Sequence, residues 1–367
     1  MGWHSVMHDS AAGKLATAPG AVILPDPADW DSFVALHHDG HLLQSSGWGA
    51  LKARFGWKRH MLAAIEGTAI RAGALVLERR RFGLCVLYVP RGPLFSGDAV
   101  IDRLLLDALD RLARRQRAVF ARLEPNVSAD DERGAALDAV LLQRGMRPAT
   151  TIQPRSTIHL ALMPEPERLL AAMSKGHRAD IKRAAREGVE VRAGGAPADL
   201  DAFYAIMQAT GARAEFAIHA RAYYAGVLDV LRDAVRLWLA DHRGVTVAAA
   251  ITAAWGQTAV YLYSGSTAEG LRCGAQHAIQ WQAIQWARTR GATCYDFWGI
   301  PDGLGQAAAC ADPAARARLE AEAQNDPLYG VYRFKKGFGG SVVRYLPAYD
   351  RVFLPPLYAL WRQRTEG

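Results

Sequence analysis

The two halves of the chain repeat one order of predicted elements, and this repeat limits the possible folds more than any other feature. Residues 61–89 alternate apolar and polar positions around turn residues, which predicts a run of strands. Residues 100–117 have apolar side chains at helical spacing, and residues 119–125 read as a short buried strand. The second half repeats this order as strands, helix and strand over 235–265, 274–290 and 293–299. We therefore expect two α/β domains of one topology.

A strand meander followed by a helix and a further strand resembles the arrangement of GNAT-type acyltransferase domains. The expected fold is α/β, with tandem GNAT-like domains that each have a mixed central sheet flanked by helices. The predicted parts are a flexible N-terminus over 1–19, a first domain over 20–152 and a second domain over 153–343. Segment 344–367 is rich in Pro, Tyr and Leu, and is a candidate to complete the first domain.

The charge composition favours polyanionic binding partners but does not distinguish among the classes of them. The chain has 44 Lys and Arg against 36 Asp and Glu, and its net charge of +8 favours nucleic acid, nucleotides or a phospholipid surface. An arginine-rich composition also follows from a GC-rich genome. The longest apolar run, 245–255, is too short to span a bilayer. Without a signal peptide, a CxxC pair or an HExxH pattern, we expect a cytoplasmic protein that uses neither metal nor cofactor.

Residues 329–340, YGVYRFKKGFGG, place Lys335 and Lys336 in an aromatic and glycine-rich setting. Neighbouring rings such as Phe334 offer apolar contacts, and the glycines let the backbone approach a ligand closely. One interpretation is a cation held beside a bulky anionic substrate. The other is a strand followed by a glycine turn, with both lysines pointing to water.

A basic segment carries Lys175, Arg178, Lys182 and Arg186 at spacings of three, four and four residues. On a helix these side chains form one stripe, which we call the basic stripe. Such a stripe can follow a phosphate backbone, with an affinity that falls steeply as the salt concentration rises. The alternative is an ordinary solvated helix face.

Other candidates stand near the ends of predicted elements. Lys52 follows Trp48 by four residues, so both lie on one helix face, where the lysine can bind phosphate as a point charge. The alternative is a surface lysine without a role. Glu124 and Asp296 end equivalent strands, and each is a candidate to meet a substrate amine. The alternative is a carboxylate that caps a turn or pairs with an arginine.

Tyr261 and Tyr263 alternate along one strand and are expected on one face of it, in the core or in the wall of a cleft. The starts of the two repeated helices lack the Q/R-x-x-G-x-G/A pattern that would cradle the pyrophosphate of coenzyme A (CoA). Both halves therefore look poorly suited to CoA.

Several segments in the same order resemble the Fem peptidyltransferases (FemA, FemB and FemX), which build the interpeptide bridges of peptidoglycan. The resemblance extends over about residues 43–352. Its marks are residues 43–57, 90–93, 123–126, 152–160, 178–191, 261–266, 295–300 and 332–338. The sequence lacks a long coiled-coil arm of the FemA kind, so the chain is most similar to the compact FemX type.

The resemblance implies a function and assigns residues to it. Members transfer an amino acid from aminoacyl-tRNA to the stem-peptide amine of lipid II or of its UDP-linked precursor. Lys52 matches a lysine that contacts the acceptor's phosphates, and Lys335 matches a lysine that assists transfer. A second phosphate contact, an arginine before a paired aromatic, is replaced here by His219 before Tyr223. Further residues implied in the site are Glu124, Trp48, Arg213, Tyr261, Tyr263, Phe334 and Lys336. The basic stripe is the candidate tRNA-binding surface.

The expected protein is thus a tRNA-dependent aminoacyltransferase of cell-wall synthesis, in the cytoplasm or peripheral to its membrane. One alternative is a GNAT-type N-acyltransferase that uses CoA or another acyl carrier. Another is a non-catalytic RNA-binding protein. An aminoacyl ester is already activated, so a free amine can attack it without a nucleophilic serine or cysteine, and Glu124 is a candidate to help deprotonate that amine.

Overall fold

The computed structural model describes residues 21–81, 83–214 and 217–365, which form two seven-stranded sheets flanked by helices. The N-terminus predicted to be flexible, 1–19, lies outside the described residues. The first sheet contains β1 (Ala21–Ile23), β2 (Lys58–Glu66), β3 (Ala69–Arg81), β4 (Leu84–Val89), β5 (Ala118–Leu123), β6 (Arg147–Ala149) and β14 (Ala348–Val352). The second contains β7 (Ser156–Ala161), β8 (Glu190–Ala193), β9 (Val235–His242), β10 (Val245–Trp255), β11 (Thr258–Ser266), β12 (Cys294–Asp296) and β13 (Ser341–Arg344).

The helices connect these strands and cover the sheets. In the first half they are α1 (Pro27–Leu36), α2 (Ser46–Ala53), α3 (Ala99–Arg115) and α4 (Glu132–Gln143). In the second half they are α5 (Pro166–Ala172), α6 (Lys175–Arg186), α7 (Pro197–Ala214), α8 (Arg221–Leu231), α9 (Ala268–Arg272), α10 (Ala275–Thr289), α11 (Asp302–Ala309), α12 (Pro313–Ala323), α13 (Tyr329–Lys336) and α14 (Pro355–Thr365). Short 3-10 turns cover Leu42–Gln44 and Arg232–Ala234.

The strand order confirms the repeat predicted from the sequence. In the first sheet, β2, β3 and β4 form an antiparallel meander, and α3 returns the chain so that β5 pairs parallel to β4. In the second, β9, β10 and β11 form the meander, and α10 brings β12 parallel to β11. The C-terminal strand β14 lies between β5 and β6 of the first sheet, antiparallel to both. Strand β13 stays in the second sheet, beside β7.

One predicted strand is longer than the strand observed. The apolar run over 293–299 forms a strand only as far as Asp296. The Asp296 carboxylate accepts a hydrogen bond from the Trp298 amide at 2.7 Å, and Trp298 has a positive φ of 64°. This local turn ends the strand and redirects the chain, because an aspartate bonded to an amide two residues on competes with the ladder.

The described residues form three large apolar cores and a small fourth one, where Tyr358 of α14 packs on Val119 and Phe120 of β5. The outer face of the first sheet packs on α3, and the outer face of the second packs on α10. The inner faces of both sheets share a third core, which we call the central core, with apolar residues of α1, α2, α7 and α8 between them. The two halves thus bury one continuous apolar surface, and groups from both can meet beside it. Among the described residues, no helix combines the length and the apolar character needed to cross a bilayer.

Candidate active site

Lys335 lies in the last turn of α13, and its side chain is buried, with the residue 6% exposed. Its Nζ donates to the Gly299 carbonyl at 2.6 Å and lies 6.0 Å from the centre of the Tyr261 ring. Burial lowers the pKa of Lys335 to about 7, although the Asp296 carboxylate acts in the opposite direction. The Lys335 ammonium therefore loses its proton near neutral pH, and its charge is little screened by water.

The interpretation of residues 329–340 as a strand with both lysines in water is wrong. Residues 329–336 form α13, in which Tyr332 and Phe334 pack against the core of the second sheet. Helical geometry separates the neighbouring lysines by about 100° around the axis. Lys335 therefore faces inward, whereas Lys336 is exposed and donates to the Gly340 carbonyl at 2.9 Å.

The expectation that Tyr261 and Tyr263 share one face is also wrong. Tyr263 pairs with Ile251 and Tyr261 pairs with the next residue, Thr252, so that Leu262 between them is the extra residue of a β-bulge. The bulge turns Tyr261 into the core beside Lys335 and Tyr263 into the central core. A single inserted residue reverses the alternation of a strand, and spacing alone cannot reveal it.

Lys52 forms a second cationic position, between α2 and α8. Its Nζ lies 5.2 Å from the ring centres of both Trp48 and Tyr223, and 3.4 Å from the Tyr223 hydroxyl. His219 stacks on Tyr223 with ring centres 4.0 Å apart, and the Tyr263 hydroxyl lies 3.5 Å from that of Tyr223. We call these residues the Lys52 cluster. It joins residues of both halves, which the sequence predicted only as separate candidates.

His219 differs from the other members of the Lys52 cluster in its charge. Partial burial and the neighbouring Lys52 charge lower its pKa, so the imidazole is neutral at pH 7. Arg213, predicted beside it, is exposed at the end of α7 and donates to the Ser266 carbonyl at 2.9 Å. Lys52 is therefore the cation of this cluster, and His219 contributes an aromatic face and a hydrogen-bonding group.

Glu124 directly follows β5 and is buried. Its carboxylate accepts hydrogen bonds from the Tyr88 hydroxyl, from the Ile152 amide, and from the Gln153 amide at 3.2 Å. Burial raises the pKa of Glu124, although the bonds from Tyr88 and Ile152 act in the opposite direction. The Glu124 carboxylate therefore links the carboxyl end of β5 to the segment around residues 152–153, which leads into the second sheet.

The basic stripe lies on α6, where Lys175, Lys182 and Arg186 are exposed. Arg178 departs from the prediction, because its guanidinium turns back and donates to the Ala171 carbonyl at 3.0 Å and to the Met173 carbonyl. Arg178 thus helps to fix the start of the helix, and the exposed charge belongs to the remaining three residues.

The start of α6 packs directly on the helix that carries Lys335. The His177 ring donates to the Phe334 carbonyl at 2.7 Å, and the Ser174 amide donates to the Gly337 carbonyl at 2.8 Å. A Cβ at Gly337 would lie 1.9 Å from the His177 ring, so only glycine permits this approach. The basic stripe and Lys335 are therefore held on two helices in direct contact.

The beginnings of α3 and α10 offer little to a pyrophosphate. At α3, the Asp98 carboxylate already accepts from the amides of Val100 and Ile101, at 2.7 and 3.1 Å. At α10, a Cβ added to Gly274 would lie 2.6 Å from the Asp180 carbonyl of α6, whose carboxylate also lies 3.4 Å from His277. A carboxylate engages the first amides of α3, and α6 packs closely on the start of α10, which argues against CoA in either half.

One group of possible metal ligands lies after α1 and is already engaged. The Nδ1 of His37 accepts from the Asp39 amide at 3.1 Å, and its Nε2 donates to the Phe95 carbonyl at 3.0 Å. The Asp39 carboxylate pairs with Arg133 at 2.6 Å and with His38 at 2.9 Å. These contacts account for the cluster without an ion.

Sequence reasoning missed two residues, Arg91 and Trp298, that meet next to Gly299, the residue whose carbonyl accepts from Lys335. Arg91 is 2% exposed and donates to the Pro154 carbonyl at 2.9 Å, and Trp298 packs against it from the second half. The usable signal was an arginine inside an apolar segment, YVPRGPLF, where a charge needs a specific reason to be buried. Such a pattern indicates burial but does not indicate the partner.

Comparison with known sequences gives matches over most of the chain. The sequence model of the FemAB family matches residues 26–138, 141–243 and 240–363. The UDP-N-acetylmuramoylpentapeptide-lysine N(6)-alanyltransferase of Weissella viridescens is 27% identical over 342 residues, which cover 90% of this chain and 94% of that protein. The lipid II:glycine glycyltransferase of Staphylococcus saprophyticus is 22% identical over 406 residues, which cover 90% and 92%.

Solved structures share the fold. FemX superimposes with a TM-score of 0.80 at 20% identity, covering 93% of this chain and 99% of its own. A tandem GNAT protein from the clavulanic acid biosynthesis pathway gives a TM-score of 0.53 at 10% identity, covering 91% and 98%. The predicted tandem GNAT-like fold is therefore confirmed.

Proposed function

Because the chain belongs to the FemAB family, we propose that it is an aminoacyltransferase of peptidoglycan synthesis. It transfers an amino acid from aminoacyl-tRNA to the stem-peptide amine of lipid II or of the UDP-linked pentapeptide. The observation that carries this proposal is the match, over nine-tenths of both lengths, to relatives named as alanyl- and glycyltransferases. The buried Lys335 and the exposed basic stripe support it, because the reaction brings together two large phosphate-bearing substrates.

The proposed chemistry needs no covalent intermediate with the enzyme. The free amine of the acceptor attacks the ester carbonyl of the donor, a C–N bond forms, and the bond to the ribose oxygen breaks. The proton lost by the amine reaches the departing ribose hydroxyl, through Glu124 or through the substrate itself. Lys335, when protonated, stabilises the negative charge that develops on the carbonyl oxygen, an effect of about 3 kcal/mol for one fixed donor.

The remaining residues bind the substrates. Lys52, backed by Trp48 and Tyr223, contacts the phosphates of the acceptor, and its half-buried position between aromatic rings limits its movement. Further acceptor contacts come from Arg213, His219, Tyr261, Tyr263, Phe334 and Lys336. The exposed cations of α6 contact the donor tRNA. A UDP-linked acceptor would be used in the cytoplasm, and a lipid-linked acceptor at the cytoplasmic face of the membrane.

A transfer assay with the full chain tests this proposal. A mixture of tRNAs charged with radiolabelled amino acids is offered with lipid II in detergent micelles and, in parallel, with the UDP-linked pentapeptide. We expect label in at least one precursor, and no label when the acceptor amine is acetylated beforehand. Binding of tRNA without transfer to either precursor would favour the RNA-binding alternative. Calorimetric binding of acetyl-CoA, with no response to charged tRNA, would favour a CoA-dependent acyltransferase.

A further inference from the structure

Two residues with unusual backbone conformations meet between the halves of the molecule. Arg91 and Trp298 have φ values of 50° and 64°, in the left-handed region that favours glycine. Large side chains adopt it rarely, because Cβ crowds the following carbonyl oxygen. Such strain persists only where the surroundings impose it, and it concentrates at functional sites. Here the Arg91 guanidinium lies 5.1 Å from the centre of the Trp298 ring.

Arg91 is held by residues that lie far from it in the sequence. Its guanidinium lies 4.2 Å from the ring centre of Tyr345, so that it is enclosed between this ring and Trp298. Among the described residues, no carboxylate lies within ion-pair distance of it, and its hydrogen bond goes to the Pro154 carbonyl. The two rings contact the guanidinium directly, which favours arginine at this position, while the Asp296 and Glu124 carboxylates act on its charge from a greater distance.

Trp298, in turn, fixes the backbone that holds Lys335. Its amide donates to Asp296 at 2.7 Å, and its carbonyl accepts from the Thr157 hydroxyl at 3.1 Å. The next residue, Gly299, supplies the carbonyl to which Lys335 donates. We call residues 296–299 the 296–299 turn.

The turn also packs closely on the segment that links the two sheets. A Cβ added at Gly299 would lie 2.8 Å from the Pro154 side chain, whose carbonyl already accepts from Arg91. Arg91, Pro154 and the 296–299 turn therefore form one continuous set of contacts. Through Pro154, Arg91 is thus connected to the turn at Gly299 as well as at Trp298.

We propose that Arg91 and Trp298 are positioning residues, whose stack fixes the 296–299 turn and thereby the position of Lys335. Neither side chain touches the reacting atoms; both act through the Gly299 carbonyl. Because Arg91 belongs to the first half and Trp298 to the second, the position of Lys335 depends on how the two halves pack. Lys335 is correctly placed only when the first half is docked. The consequence for transfer rests on the function proposed above, whereas the consequence for the position of Lys335 does not.

The variant Trp298→Gly tests this link directly. Glycine adopts the left-handed conformation without strain, so the backbone turn remains allowed while the ring is lost. The reaction rate of each lysine with a small amine-specific acylating reagent is measured by mass spectrometry over a range of pH. We expect Lys335 to react about tenfold faster in the variant, since a loosened turn exposes it by local opening. The exposed Lys336 provides the internal control, and its rate should stay the same.

Further variants separate positioning from general stability. Trp298→Phe keeps an aromatic face and should retain most of the protection of Lys335, whereas Trp298→Leu, which is apolar but not aromatic, should not. Arg91→Gln should resemble Trp298→Gly, and the double variant should be no worse than either single variant, because both remove the same contact. If Trp298→Gly does not fold, Arg91→Lys replaces it, since lysine keeps the charge but not the planar face.

Transfer assays supply the second measurement. We expect kcat to fall by about tenfold to a hundredfold in Trp298→Gly, with the KM for the acceptor within about twofold of the original, as for a misplaced catalytic group. Unchanged labelling of Lys335 in the folded Trp298→Gly and Arg91→Gln variants would overturn the proposal. An original chain that transfers no amino acid would refute the proposed function instead, and the labelling would still decide whether the link exists.

Discussion

The positions of Lys335 and Lys52 show two ways of holding a cation in one protein. Lys335 is buried in the second half, where its ammonium has lost its water and donates to the Gly299 carbonyl. Lys52 is half-buried between the aromatic rings of Trp48 and Tyr223, which come from different halves. The first position makes the charge of the lysine sensitive to its surroundings. The second places the charge at a boundary where a large anionic ligand can still reach it.

This difference suggests a division of work. A desolvated ammonium interacts strongly with charge that develops next to it, because little water screens the interaction. A lysine between aromatic rings keeps part of its hydration and offers a point charge that suits phosphate. We therefore expect changes at Lys335 to act on kcat and changes at Lys52 to act on KM.

The largest effect is expected for Lys335→Ala. Removal of one fixed donor to a developing oxyanion lowers kcat by about 10²–10³-fold. The KM for the acceptor should change little, since the phosphate contacts are made elsewhere. Arg333→Ala is the matched control, because it removes an exposed cation from the same helix and has no assigned role in the site. Steady-state transfer of radiolabelled amino acid measures both variants, and near-normal turnover in Lys335→Ala would remove the residue from the mechanism.

The pH dependence of kcat sharpens the role of Lys335. With a pKa of about 7, the fraction of ammonium declines as the pH rises through neutrality. If the ammonium is the active form, kcat falls by about tenfold for each pH unit well above 7. A kcat that instead rises over this range would show that the neutral amine acts as a base, which contradicts the role assigned here. The profile is measured from pH 6 to about 9 at saturating substrates.

Burial of Lys335 also predicts a cost in stability. Unfolding restores the ordinary pKa of lysine, 10.5, so between pH 7 and 10.5 the unfolded chain binds more protons than the folded chain. Stability attributable to this group therefore rises with pH across that window. Lys335→Met should stabilise the fold by about 1–3 kcal/mol below pH 7, and by less as the pH increases. Urea unfolding at pH 6 and 9 measures the difference in the free energy of unfolding. If Lys335→Met were less stable than the original chain at pH 6, the buried ammonium would not be destabilising the fold.

The sequence predicted the fold better than the details of the site. The repeat of meander, helix and strand is local, since apolar spacing and turn residues such as Gly67 and Gly244 specify each element where it stands. The paired positions of Lys52 and Tyr223 depend on how two distant helices dock, which spacing does not encode. The β-bulge at Leu262 and the left-handed conformation of Trp298 were missed for a related reason. Tertiary packing imposes both conformations, although neither residue favours its conformation by itself.

A smaller effect is expected at the Lys52 cluster. Lys52→Ala should raise the KM for the acceptor about tenfold, the loss of one charge-assisted phosphate contact, with kcat nearly unchanged. Arg54→Ala is the matched control, because Arg54 lies at the end of the same helix in an exposed ion pair with Asp229. The comparison with Lys335 fails if Lys52→Ala lowers kcat as strongly as it raises KM. Initial rates at several acceptor concentrations distinguish the two outcomes.

The smallest effect is expected on α6, where each exposed cation shares contact with a long polyanion. Lys182→Glu should raise the KM for charged tRNA about threefold at moderate salt, and should make binding less dependent on salt, because fewer counterions are released. The KM for the acceptor should not change, which separates this surface from the Lys52 cluster. Lys58→Glu, an equal change of charge at an exposed position on β2, is the control for net charge. If both variants weaken tRNA binding equally, the overall charge of the protein attracts the donor, and α6 is only a solvated helix face.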